Sequence, residues 1–305
     1  MNSTNSKGVP LLLVTLSLIL LCGITHADTL KAVIVTGQNN HDWKTSSPII
    51  KQILENSGRF TAELAISPEN AEGMENFKPD FSAFDVVVLD YNGVSWCEET
   101  KQAFVDYVKN GGGVVVIHAA DNAFPDWPEY NEIIGLGGWG GRNEKDGPYV
   151  VWRDGQIVRD DRPGPGGGHG RQHPWTCINR NTEHPVTRGL PETWMHAKDE
   201  LYHGLRGPAK NLTVLTTAFS DKETGGSDEH EPVLFTIEYG DGRIFHTVLG
   251  HAGGEPDPLP FQCVGFIVTL QRGAEWAATG EVTQDVPPDF PTADTISVWK
   301  DYKPK

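Results

Sequence analysis

The chain carries 11 histidines in 305 residues, and several stand directly after apolar, β-branched runs. In GGGVVVIHAADNAF three valines and Ile117 lead to His118, with Asp121 three residues on. An imidazole oriented by a carboxylate is the usual arrangement of a general base or a metal ligand. The alternative for His118 is a hydrogen-bonded structural group at a strand end. In NNHDW, His41, Asp42 and Trp43 offer a ligand or base beside a ring that could stack on a sugar, or simply a turn in which Asp42 caps the next helix. His251 ends the run RIFHTVLGH, and His246 lies five residues earlier in the same run. Odd spacing on a strand sends side chains to opposite faces, so His251 is the site candidate and His246 a core histidine.

The densest cluster is WMHAKDELYHG. As a helix it places His196, Asp199, Glu200 and His203 on one face; as an extended segment it points Asp199 and Glu200 to opposite sides. Both readings are open. A divalent metal held by His118, His196, Glu200 and His251 is one chemistry these residues allow, although the spacing does not match a His-Glu-x-x-His motif. An acid–base set of His118, Asp121, Glu200 and His251 is the other. His41, Asp42, Trp43, Asn92, Trp139 and Tyr202 are candidate substrate contacts, the aromatic rings as stacking platforms. His169 and His173, in GGGHGRQHPW, sit on a glycine-rich loop that lacks the strand, helix and Lys-Ser/Thr of a phosphate loop.

The elements that must position these groups are legible in outline. LKAVIVT, FTAELAI, FDVVVLD and GGVVVIH read as strands that are apolar on both faces. SSPIIKQILENSG reads as a helix capped by Ser46 or Ser47 with Pro48 in its first turn, and CEETKQAFVDYVKN as a second helix. Strands alternating with helices imply a parallel sheet covered on both faces. Ligands in such sheets lie beyond the carboxyl ends of the strands, which is where His41, Asn92, His118 and Asp121 fall. Residues 125–170 are rich in Gly and Pro and read as an irregular, mobile insert over the site rather than as core elements, extending to about residue 175. Beyond it, LTVLTTAFS and the hairpin PVLFTIEYGDGRIFHTVLG precede a helix, FQCVGFIVTLQRGAEWAAT.

A formal charge of −16 excludes the basic footprint of a nucleic-acid binder. The stretch VPLLLVTLSLILLCGITHA, with Lys7 ahead of it and small residues at Thr25 and Ala27, reads as a cleaved signal peptide over residues 1–27. The expected location is therefore secreted or periplasmic, with one domain over residues 28–280 and a polar tail over 281–305. Cys97, Cys177 and Cys263 form no disulfide framework and no Cys-x-x-Cys pair, though one bridge is allowed. Self-association to a homo-oligomer is compatible with the sequence, which does not specify it.

NNHDW, GGGVVVIHAA, EHPVTRGLPETWMHAKDELYHGL and GDGRIFHTVLGHAGG, in that order, resemble the trehalose-utilisation (ThuA-like) family over roughly residues 29 to 280. The resemblance implies a flavodoxin-like α/β fold of the class I glutamine amidotransferase type. In that superfamily the strand-to-helix elbow carries a cysteine nucleophile and a histidine after a late strand serves as its base. Here His118 occupies the elbow, and His251 lies roughly where the base would be. Amide hydrolysis through a thiolate is therefore not expected; an imidazole at that place suits proton transfer or metal binding. The resemblance implies a role in carbohydrate metabolism with a small sugar or oxidised sugar as partner. The alternatives are a non-catalytic sugar-binding protein and a cysteine hydrolase using Cys97 or Cys177.

Overall fold

The structure is a computed structural model that describes residues 29–253 and 258–302, together with Met1. The expected signal peptide lies outside the described residues. The elements run β1 (Leu30–Thr36), α1 (Trp43–Asn56), β2 (Phe60–Ile66), β3 (Val86–Leu89), α2 (Glu98–Lys109), β4 (Gly113–Ile117) and α3 (Pro128–Ile134). A hairpin, β5 (Tyr149–Arg153) and β6 (Gln156–Asp160), is followed by β7 (Gly168–His169), β8 (His173–Asn179), β9 (Thr193–Asp199) and β10 (Tyr202–His203). Then come β11 (Leu212–Ser220), β12 (Glu229–Tyr239), β13 (Gly242–Thr247), α4 (Leu259–Gln262) and α5 (Val264–Thr279).

The main sheet has the order β2-β1-β3-β4-β13-β12-β11-β8-β9. Its first five strands are parallel, so Leu30–Thr36, Val86–Leu89 and Gly113–Ile117 are neighbours as the sequence predicts. From β13 onward the pairings are antiparallel, which the hairpin turn at Gly240 and Asp241 begins. The valines of β3 and β4 are fully buried because helices cover both sheet faces. The chain steps from β1 out to β2 on one side and from β3 to β4 on the other. Right-handed crossovers therefore put α1 and α2 on opposite faces. Helix α5 packs beside α1 and across β4 and β13, and 14 of its 16 residues are buried.

Two local expectations are corrected. Helix α1 starts at Trp43 with Asp42 at its N-cap position, so Ser46, Ser47 and Pro48 are interior. The two serines do not cap; both hydroxyls lie at 2.6 Å from the buried carboxylate of Asp90 at the end of β3. Residues 125–170 are not without core elements either. They supply α3, with Pro128 in its first turn, and the β5–β6 hairpin, with Ile133, Ile134 and Val150 at most 1% exposed. The hairpin turns at Asp154 and Gly155, both with positive φ, as a two-residue Asp-Gly turn requires. The guanidinium of Arg142 locks the rest of the segment. It donates to the carbonyls of Gly138 and Ala123 at 2.7 Å, to that of Asn122 at 3.2 Å, and to Asn131 Oδ1 at 2.9 Å. Residues 281–302 also pack, with Phe290 against Trp194 at 5.6 Å and Val298 bridging Cys263. Cys97, Cys177 and Cys263 are free thiols.

Candidate active site

Three strand ends deliver a histidine each to one carboxylate. His41 follows β1, His118 follows β4 and His251 follows β13, the carboxyl edge at which a parallel sheet binds ligands. Glu200 follows β9. The WMHAKDE segment is extended, and at its end Glu200 turns in toward the histidines. Its Oε2 lies 3.6 Å from His118 Nε2 and 3.7 Å from His41 Nε2, and its Oε1 lies 3.2 Å from His251 Nε2. The ring of His41 sits edge-on to those of His118 and His251, with centroids at 4.8 and 4.7 Å.

Local structure explains each placement. His118 is 2% exposed with φ of +46°, the left-handed region that side chains avoid, so the backbone turns sharply where the strand ends. Its Nδ1 lies 2.6 Å from the carbonyl of Val248, and its ring stacks on Tyr202 at 4.1 Å. That carbonyl requires a proton on Nδ1 and leaves Nε2 facing Glu200. The Asp42 amide donates to the Ala252 carbonyl at 2.7 Å, which ties the His41 turn to the loop carrying His251. Asp199 fastens the last two groups by accepting the amides of Glu200, Gly250 and His251 at 2.8, 2.9 and 3.0 Å.

The electrostatics separate the roles. Burial acts against the Glu200 carboxylate, but His118, His41 and His251 hold its pKa far below the usual carboxylate range. Burial, helped by the neighbouring His118, pushes His251 down to about 4, so it is neutral at pH 7. Burial likewise lowers His41. For His118 burial is outweighed by the carboxylates of Glu200 and Asp199 and by the Val248 carbonyl, and the pKa rises. Burial, with the charges of Asp121 and Glu200, keeps the Tyr202 phenol protonated.

The cluster opens into a cavity of about 410 Å³ lined by Asn40, His41, Asn92, Asn122, Trp139, His169, Glu200 and Tyr202. Trp139 and Tyr202 meet edge to face at 4.7 Å and form its aromatic wall. Of the residues singled out in the sequence, His41, His118, Glu200, His251, Asn92, Trp139 and Tyr202 come together here. Four others do not. Asp121 is fully buried and turned away from His118; its Oδ2 lies 3.6 Å from His246 Nε2. The sequence pairs Asp121 with His118, but the left-handed backbone at His118 departs from the regular turn that follows, and Asp121 faces His246 instead. His196 is fully buried with its Nε2 on Asp199 at 2.8 Å, because an extended strand separates it from Glu200. It therefore does not join the other proposed metal ligands. Trp43 lines an adjoining cleft with Asn40, Lys44 and Asn92, and Asp42 accepts the Thr45 hydroxyl at 2.7 Å.

Sequence reasoning missed Gln172 and Asn122, and it noted His169 and Asp199 without placing them in the site. Gln172 Nε2 lies 3.3 Å from Glu200 Oε1 and 3.4 Å from the His251 ring nitrogens. His169 pairs with Tyr202 between β7 and β10, which brings its Nδ1 to 3.9 Å from Glu200. The repeated polar residues of GHGRQH were the available signal.

Fold and site together define an α/β protein with a histidine–glutamate pocket at the carboxyl edge of its sheet. The chain belongs to the ThuA family, a family of trehalose utilisation, whose profile matches residues 31–277. It is 58% identical to a ThuA-like protein from Parabacteroides merdae ATCC 43184, with a TM-score of 0.88 over 90% of this chain and 99% of that one. A ThuA-like protein from Bacteroides uniformis ATCC 8492 shares the fold at 17% identity, with a TM-score of 0.54 over 86% of this chain and 96% of that one. Among curated proteins nothing matches the chain significantly.

Proposed function

We propose that this protein is an exported enzyme of carbohydrate metabolism that moves a proton on a sugar or oxidised sugar bound against Trp139 and Tyr202. The observation that carries the reading is the convergence of His41, His118 and His251 on Glu200 at the floor of the cavity. At pH 7 such a site holds an ionised carboxylate and, beside it in His251, a neutral imidazole. Proton abstraction beside a carbonyl and hydrolysis by an activated water both use that pair, so the reaction is that of a lyase, an isomerase or a hydrolase. The cavity has the volume of a small-molecule site, and its Asn40, Asn92 and Asn122 amides suit sugar hydroxyls. Export is supported by the composition of residues 1–27.

The cysteine-hydrolase alternative has little support. Cys177 and Cys263 are fully buried, burial pushes the Cys177 thiol well up, and Cys97 at the start of α2 is not among the residues lining the cavity. The test is incubation with a panel of disaccharides and their oxidised derivatives in D2O, read by NMR. Turnover with deuterium incorporated at a sugar carbon is expected for proton abstraction, and turnover without it for hydrolysis. A sugar that binds and is never altered, or wild-type turnover by Glu200→Gln, would overturn the proposal.

A further inference from the structure

We propose that His41, His118 and Glu200 form a binding site for one divalent transition-metal ion, with His251 supporting Glu200 from outside the ligand set. The inference rests on the reading of this pocket as the reactive one and adds what the cluster holds. Three ligand atoms, one from each residue, lie within 4.8 Å of one another. Donors bound at about 2.0–2.2 Å around a tetrahedral ion stand roughly 3.4 Å apart, so the 3.6 and 3.7 Å separations from Glu200 Oε2 need little closure. The same separations are too long for ring N–H to carboxylate hydrogen bonds.

His118 supplies the independent observation. Its Nε2 is buried, has no hydrogen-bond partner and faces the Glu200 carboxylate. A buried polar nitrogen without a partner is costly and calls for an occupant. The far side of the ring is already committed, since Nδ1–H is held by the Val248 carbonyl at 2.6 Å. Ring fixation through the opposite nitrogen is how metal-binding histidines are oriented, and it leaves the lone pair of Nε2 free to ligate. Glu200 is supported in the same manner: His251 and Gln172 approach its other oxygen, Oε1, at 3.2 and 3.3 Å, and Asp199 holds its amide. Two imidazoles and a carboxylate form a borderline donor set that suits zinc, manganese, iron or cobalt rather than calcium. Glu200 and His41 line the cavity, so the open coordination position faces the place where a sugar oxygen or a water would bind.

The experiment uses the full chain stripped with chelator and titrated with Zn(II) or Mn(II) by calorimetry, with Co(II) absorption as a spectroscopic readout. One ion per chain is expected. His118→Ala and Glu200→Gln should each weaken it by more than 100-fold, and His251→Ala by 10- to 100-fold, the range of an outer-sphere partner. The Co(II) bands should lose intensity in His118→Ala. Circular dichroism checks each variant for folding, and His41→Ala, at the less buried of the two histidine ligands, replaces His118→Ala if that chain does not fold. No stoichiometric binding, or equal binding by wild type and the Glu200 and His41 variants, would overturn the site. Sugar turnover by a chain that binds no ion stoichiometrically ends this inference alone. A bound ion with no turnover of any sugar ends the enzymatic reading alone.

Discussion

The carboxylate of Asp199 accepts the backbone amide of His251 at 3.0 Å across 52 residues of sequence. With the amides of Glu200 and Gly250 on the same carboxylate, one fully buried side chain sets the distance between Glu200 and His251. Asp199→Ala should leave three amides and His196 without their acceptor. A loss of at least about 3 kcal/mol in urea unfolding is expected, since each buried unsatisfied group costs on the order of 1–3 kcal/mol. Asp199→Asn retains one acceptor oxygen and should lose less stability, yet its turnover should still fall. Equal stability in all three proteins would show that the carboxylate does not hold the loop.

His118 combines a place in the proposed active site with a strained backbone. Replacing it by alanine should lower turnover by on the order of 100-fold or more if the imidazole takes part in the reaction, directly or by holding an ion. The stability cost should exceed that of an open strand end, because the ring is 2% exposed and stacked on Tyr202. His118→Gly should then be more stable than His118→Ala by about 1 kcal/mol, since glycine occupies the +46° backbone without steric penalty. Full activity in a destabilised His118→Ala would remove the residue from the chemistry. An alanine variant as stable as the glycine one would remove the strain.

Asp90, at the end of β3, sets a pH dependence of its own. Burial raises its pKa from 3.8 to about 6, partly offset by the hydroxyls of Ser46 and Ser47 and the amide of Asn39. Below the unfolded value both states hold the proton, and this carboxyl makes no difference. As pH rises from about 4 through 6 the unfolded chain releases it first. Stability should therefore decline over that window by about 3 kcal/mol from this group and level off above it. In Asp90→Asn that segment of the pH–stability curve should be flat. An identical slope in both proteins would assign the dependence elsewhere.

The sequence and the structure agree where a rule depends on period alone. Runs such as Val86–Leu89 and Gly113–Ile117 can only be interior strands, and parallel order then brings His41 and His118 to one edge. What stayed hidden depended on rotation about a few bonds. Asp121 is three residues from His118, and whether they face each other is decided by the backbone at His118, whose positive φ departs from a regular 3-10 turn; here Asp121 meets His246 instead. The segment around Glu200 was legible as polar and aromatic but not as extended, because its periodicity fits both conformations. The insert was misjudged through its composition. Glycines and prolines dominate it, yet Asp154-Gly155 between Val-Val-Trp-Arg and Gln-Ile-Val was a hairpin signal in plain sight.

Arg142 offers the sharpest test of how that insert supports the pocket. Its side chain is 3% exposed, and its guanidinium reaches the carbonyls of Asn122, Ala123 and Gly138 and the side-chain oxygen of Asn131. Asn122 and Trp139, both lining the cavity, are thereby tied to α3 and to each other. A lysine has the charge but not the planar fork, so one ammonium cannot satisfy acceptors lying in several directions. Arg142→Lys and Arg142→Ala should thus both destabilise by about 3 kcal/mol or more, through buried carbonyls left unpaired. The loss should also be local in character. Trypsin should cut wild type at the exposed Lys145, whereas in Arg142→Ala the bonds around residues 122–141 should open to a nonspecific protease as well. Sugar affinity should weaken together with that opening, because the aromatic wall moves with the loop. If Arg142→Lys matches wild type in melting, proteolysis and sugar binding, the guanidinium fork does not organise the wall, and the packing of α3 alone must hold Trp139 in place.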